Sequence, residues 1–91
     1  MSVISSFDGS DDVMSWSAQV RAKLIAKGYK NYLLDANKPV LDVARIAWEA
    51  QADNTTGVIL TYLNPNIAVQ FEDKGTPQTL LESVIAYYRP D

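Results

Sequence analysis

Apolar residues recur at helical spacing in three stretches of the chain, and glycine and proline separate them. Val13, Trp16, Val20 and Leu24 fall at i, i+3, i+7 and i+11, which makes one stripe on a helix. This predicts a first helix over 11–27. Asp11 and Asp12 can accept from the free N–H groups of its first turn and suit the positive end of its dipole. Lys27 sits at the end that favours a cation, and Gly28 can take the left-handed conformation that stops a helix.

A second helix is predicted over 41–63. Ala44, Ala47, Trp48, Gln51, Ala52, Thr55, Ile59, Tyr62 and Leu63 follow a 3.6-residue period. Its weak point is Asp53-Asn54-Thr55-Thr56-Gly57, a run of poor helix formers. From Trp48 to Ile59 is close to three turns, so the apolar register survives the run. Continuity is favoured over a break. Asn64-Pro65 ends the segment, because a residue before proline is pushed out of helical geometry. Ile67, Ala68, Val69 and Phe71 suit a short helix within 66–74. Their alternation would also suit a strand, but no partner strand is evident.

The third main helix is predicted over 76–88. Thr76 is a good N-cap and Pro77 a good first residue. Leu80, Leu81, Val84, Ile85 and Tyr88 then form an apolar face. Between the first two helices, Tyr32, Leu33 and Leu34 are expected to tuck one turn against the core, with a turn at Asn37-Lys38-Pro39. Residues 1–10 read as an arm.

The expected fold is therefore all-α: a single domain, 1–91, formed as a compact bundle of three main helices plus one or two short ones. Its core is expected to use Trp16, Val20, Leu24, Trp48, Ala52, Ile59, Leu63, Leu81, Val84 and Tyr88. Tyr87 points away from Leu81 and Val84 and is a candidate interface residue.

Composition narrows the function. The 91 residues are 47% hydrophobic and 21% charged, which suits one folded core. The net charge of −3 and scattered basic residues argue against a nucleic-acid-binding role, which needs clustered Lys and Arg. Arg21, Lys23, Lys27 and Lys30 point in several directions on a helix and read as a solvated face. The chain contains no Cys and no His, so thiol chemistry, zinc ribbons and the commonest general base are excluded. Asp8, Asp11 and Asp12 do not complete a calcium loop, and helix capping explains them. Glu72, Asp73 and Glu82 could form an acid–base pair only in a shared cleft, so a solvated surface is the simpler reading. No phosphate-binding glycine loop is present. No catalytic residue, cofactor, metal or small-molecule substrate is expected. There is no secretion signal, no myristoylation site and no membrane-length apolar run, which suggests a cytoplasmic protein.

The order of these features resembles the N-terminal capsid part of Gag from copia-type retrotransposons. Phe7-Asp8-Gly9, then Trp16, Leu24 and Gly28, is similar to the opening of that family. Trp48, Ala52, Ile59 and Leu63 resemble its central helix. The run from Thr76 to Tyr88 resembles the helix after it, with Leu80 or Leu81 where many members have Trp. The resemblance spans about Phe7 to Tyr88. It implies a capsid-like domain that assembles into virus-like particles through weak, numerous contacts with copies of itself, whether in an element or a domesticated descendant. The family's zinc knuckle has no counterpart here, so an RNA-packaging role is not implied. The alternatives are a helical adaptor for another protein and, further off, a small enzyme.

Overall fold

The computed structural model describes residues 6–9, 12–73 and 75–89. It contains four α-helices: α1 (Val13–Ala26), α2 (Asp42–Thr61), α3 (Pro65–Phe71) and α4 (Pro77–Tyr88). Two short 3-10 turns, Lys30–Tyr32 and Asp35–Asn37, join α1 to α2. The all-α bundle of three main helices and a short one is the architecture the periodicity predicts. Among the described residues there is no strand, only an isolated bridge between Phe7 and Leu63.

Most helix ends have a local cause. The Asp12 carboxylate accepts from the Met14 N–H at 3.0 Å and from the Ser15 hydroxyl at 3.0 Å, so α1 starts at Val13. The other expected cap, Asp11, lies outside the described residues. At the far end Gly28 has φ +89°, the Tyr29 N–H reaches the Leu24 carbonyl at 2.9 Å, and the Gly28 N–H reaches that of Ile25 at 3.0 Å. This paired closure is the left-handed stop expected of glycine. Thr76 caps α4 by accepting from the Thr79 N–H at 3.2 Å, with Pro77 in the first turn. Asn64 caps α3 by accepting from Asn66 N–H at 3.1 Å, and Pro65 opens it. The helix expected within 66–74 thus begins earlier and ends at Phe71; residue 74 lies outside the described residues.

α2 runs unbroken through Asp53–Gly57. Thr55 and Thr56 are buried, and their hydroxyls return to the Gln51 and Ala52 carbonyls at 2.8 and 3.0 Å. Packing against the bundle thus overrides weak propensity, while Asp53, Asn54 and Gly57 face outward.

The core gathers Val13, Trp16, Val20 and Leu24 of α1, Ile59 of α2, Ile67 and Phe71 of α3, and Leu80, Leu81 and Val84 of α4, together with Phe7 and Leu63. α4 packs against both α1 and α2. Fully burying each such side chain contributes about 1.5–3 kcal/mol.

Trp48 and Ala52 are buried, as expected of core residues, although they lie outside this cluster. Trp48 instead packs on Tyr32, with ring centroids 5.9 Å apart, and its indole N–H reaches the Asn31 carbonyl at 3.3 Å. Tyr88 is half-buried at the core's edge rather than within it. Ala44, Ala47 and Gln51 are exposed, although the period grouped them with Trp48. Leu34 is exposed too, because the second 3-10 turn is held from elsewhere: its Asp35 N–H donates to the Gln78 side chain of α4 at 2.7 Å.

Among the described residues of the arm, Phe7 is part of the core. Phe7 has no exposed surface. Its N–H donates to the Tyr62 carbonyl and its carbonyl accepts from the Asn64 N–H, both at 2.8 Å. Its ring lies 5.4 Å from that of Trp16 and 4.9 Å, edge-on, from that of Tyr88. The Tyr62 carbonyl also accepts from the Trp16 indole at 3.1 Å, so one oxygen ties the arm and α1 to the end of α2. Gly9 lets the chain leave this socket. Its φ is +93°, and a Cβ there would sit 3.1 Å from Cε1 of Tyr88. Gly9→Ala is expected to cost about 1–2 kcal/mol, the penalty for placing a Cβ in left-handed backbone. A urea melt would read this as a lower midpoint at unchanged slope.

Candidate interaction surface

α2 carries two different faces. Trp48, Ala52, Thr55, Thr56 and Ile59 point into the protein, and none of the helix residues before Trp48 is buried. On the opposite side Val43, Ile46, Ala47, Ala50, Asp53, Asn54 and Gly57 make one stripe, each three or four residues from another. All of them are exposed, Val43 by 84% and Ile46 by 64%. Val40 and Leu41, just before the helix, are also 89% and 78% exposed. Isolated exposed apolar residues need no explanation, but four large ones within seven positions form a patch.

The charges of this half of α2 stand beside the ridge. Arg45 pairs with Asp42 at 3.1 Å and with Glu49 at 3.5 Å, and Lys38 reaches Glu49 at 3.4 Å. These pairs are exposed and contribute little stability. They do balance one another, so the ridge is bordered by a neutral cluster.

Gly57 belongs to the same outer face. A Cβ there would meet nothing within 4 Å, and its φ is not positive. Nothing inside this fold therefore asks for glycine, although it costs a helix interior about 0.5–1 kcal/mol relative to alanine.

A second feature lies on the flank of α2. Lys38, Trp48, Glu49, Ala52, Asp53, Gly75 and Thr76 line an open cleft of about 210 Å³. Its floor is the buried edge of Trp48 and Ala52, and its rim mixes both signs of charge.

Tyr87, the expected interface residue, is 65% exposed, but its ring is not free-standing. It meets Phe71 edge-on at 5.9 Å and Tyr88 at 4.8 Å. Burial, and then neighbouring Tyr87, raise the Tyr88 phenol above the usual tyrosine value. Val69, 66% exposed, is the nearest comparable apolar residue on α3, so this end is a smaller patch than the α2 ridge.

Of the expected core residues, the structure brings together Trp16, Val20, Leu24, Ile59, Leu63, Leu81 and Val84, and it sets Trp48 and Ala52 apart. The ridge was missed by the sequence reading. Its signal was present: Val43, Ile46, Ala47 and Ala50 form a second stripe at i, i+3, i+4 and i+7, opposite the stripe of Trp48, Ala52 and Ile59. Glu72, Asp73 and Glu82 are all exposed. Among the described residues no group of three acidic side chains is placed to hold a metal ion, and no helix is long and apolar enough to cross a membrane. No protein-family model matches the sequence, and no curated protein or solved structure is significantly similar to it.

Proposed function

We propose that this chain is a structural capsid domain of the copia-type Gag kind, which builds a larger shell by contact with copies of itself. The observation that carries the proposal is the apolar start of the outer face of α2, with Val43 and Ile46 turned to solvent. The first half of that face, around Val43, Ile46, Ala47 and Ala50, is apolar, and Asp53 brings one carboxylate to the second half. The family resemblance supports the same reading, since it runs through Phe7, Gly9 and Trp16, the residues that close the arm onto the bundle. The role is mechanical, and a domesticated descendant of such an element would keep it.

The test is self-association. The chain is expected to show a sedimentation-average mass that rises with concentration. Ile46→Asp is expected to remove that rise, because each contact would then bury two uncompensated carboxylates. Its melting temperature should stay within a few degrees, since Ile46 supports nothing in the core. A wild-type chain that remains monomeric at about millimolar concentration would overturn the proposal.

The cleft beside Trp48 favours a second reading, a helical adaptor that seats a peptide of another protein there. Saturable binding of such a peptide, lost in Trp48→Phe and untouched by Ile46→Asp, would select the adaptor.

A further inference from the structure

We infer that the C-terminal end of α1 is a docking site for a short acidic segment of a partner protein. The inference is independent of how α2 is used. Charge is divided unevenly along the chain. From Val13 to Leu34 there are four cations, Arg21, Lys23, Lys27 and Lys30, and no carboxylate. The rest of the chain holds the four remaining cations and all eleven Asp and Glu, so the net charge of −3 conceals a segment of +4. The ion pairs among the described residues engage Lys38 and Arg45 and none of these four. Arg21, Lys27 and Lys30 are exposed, and Lys23 is half-exposed.

The fold keeps the four at one end of the helix. With Val20 and Leu24 turned inward, Arg21 and Lys23 stand at the two edges of the exposed side of α1. Between them lie exposed Ala22 and Ile25, a small and an apolar surface that carries no charge. Lys27 follows Lys23 one turn on. Gly28 then turns the chain, the Tyr29 N–H returns to the Leu24 carbonyl at 2.9 Å, and the 3-10 turn that begins at Lys30 packs against α1. Lys30 is thereby held beside the helix end. The dipole of α1 favours cations in its last turn. That accounts for Lys23 and Lys27, but not for Arg21 and Lys30 or for the lack of any balancing carboxylate.

Charge complementarity fixes the sign of the ligand, and the rest of the domain limits its length. Exposed ion pairs are weak singly, so several carboxylates must engage at once. From Arg21 to Lys27 is about 9 Å along the helix, and an extended segment advances about 3.3 Å per residue. About four to six residues therefore cover the patch. A nucleic-acid strand or an anionic membrane extends well past it, to where the chain is acidic and repels within a Debye length of about 8 Å. A short peptide ends before that, and one apolar side chain in it can rest on Ala22 and Ile25.

The test is titration of the isotope-labelled full chain with the peptide Glu-Glu-Leu-Glu-Glu, followed by amide chemical shifts. Shifts are expected to saturate, to concentrate in residues 21–30, and to fade between about 0.05 and 0.5 M salt. Lys23→Gln with Lys27→Gln is expected to weaken binding about tenfold, as loss of two such pairs allows. Arg45→Gln with Arg89→Gln, an equal change of charge elsewhere, should leave it unaltered. All four side chains are at least partly exposed, so retained helical circular dichroism in both variants separates lost binding from lost folding. Absent shifts at about millimolar peptide, shifts outside residues 21–30, or equal weakening by the two variants would overturn the inference. Tighter binding of oligothymidylate or of phosphatidylserine vesicles at the same residues would overturn the choice of an acidic peptide.

Discussion

Replacing Phe7 by alanine is expected to lower the stability of the whole domain by about 3–5 kcal/mol, the range for removing a large aromatic side chain from a core. Phe7 has no exposed surface and sits among Trp16, Leu63 and Tyr88. The substitution leaves the two backbone hydrogen bonds of residue 7 in place but empties the space between α1 and α4. Those helices cannot close over it without disturbing the Trp16 indole, which is fixed to the Tyr62 carbonyl. A domain of this size has a total stability of roughly 5–14 kcal/mol, so the loss removes about a fifth or more of it. Each kcal/mol shifts Tm by roughly 4–8 °C, and the thermal melt should fall by well over ten degrees. Loss of less than about 1 kcal/mol would mean that the arm does not occupy its socket in solution.

Trp48→Ala is expected to cost about 3 kcal/mol, at the low end of the same range, and to act in a different place. Trp48 touches Tyr32 and bonds the Asn31 carbonyl, but it is not part of the main core. The open cleft beside it means that truncation enlarges a solvent-accessible hollow rather than sealing an empty cavity. Its main consequence is release of the linker between α1 and α2. Amide exchange should therefore accelerate over residues 30–38, while α1 and α4 keep most of their protection, as separately opening units do. The Asp35–Gln78 bond would remain as the other tether of that linker. Equal acceleration in α1 would instead place Trp48 in the common core.

The two variants together separate the parts of this fold that a one-dimensional pattern reveals from those it conceals. Helix starts and stops were legible because their causes lie within four residues. Asp12, Gly28, Asn64-Pro65 and Thr76-Pro77 act on the backbone beside them, and the structure uses each one. The continuity of α2 was legible in the register of Trp48 and Ile59, although its cause, the burial of Thr55 and Thr56, is tertiary. The candidate surface was only half visible. An exposed stripe of Val43, Ile46 and Ala50 looks the same in sequence as a buried one, and one period drawn through Ala44, Ala47 and Gln51 merged two faces of α2.

Helical periodicity states that a helix has an apolar side, and a helix with two such sides leaves open which of them meets the protein. For α2 the choice was made by α4 and the linker, which cover Trp48, Ala52 and Ile59 and leave Val43 and Ile46 to solvent. The arm makes the same point for a residue outside any helix. Phe7 has no periodic neighbours to announce its burial, and it is core because the end of α2, α1 and α4 converge to leave a socket of its size. Local chemistry is thus enough to start or stop most of these helices, while α2 runs unbroken only because its Thr55 and Thr56 are buried. Their mutual packing decides which apolar surface is inside and which remains outside, because burial is a property of neighbours far apart in the chain.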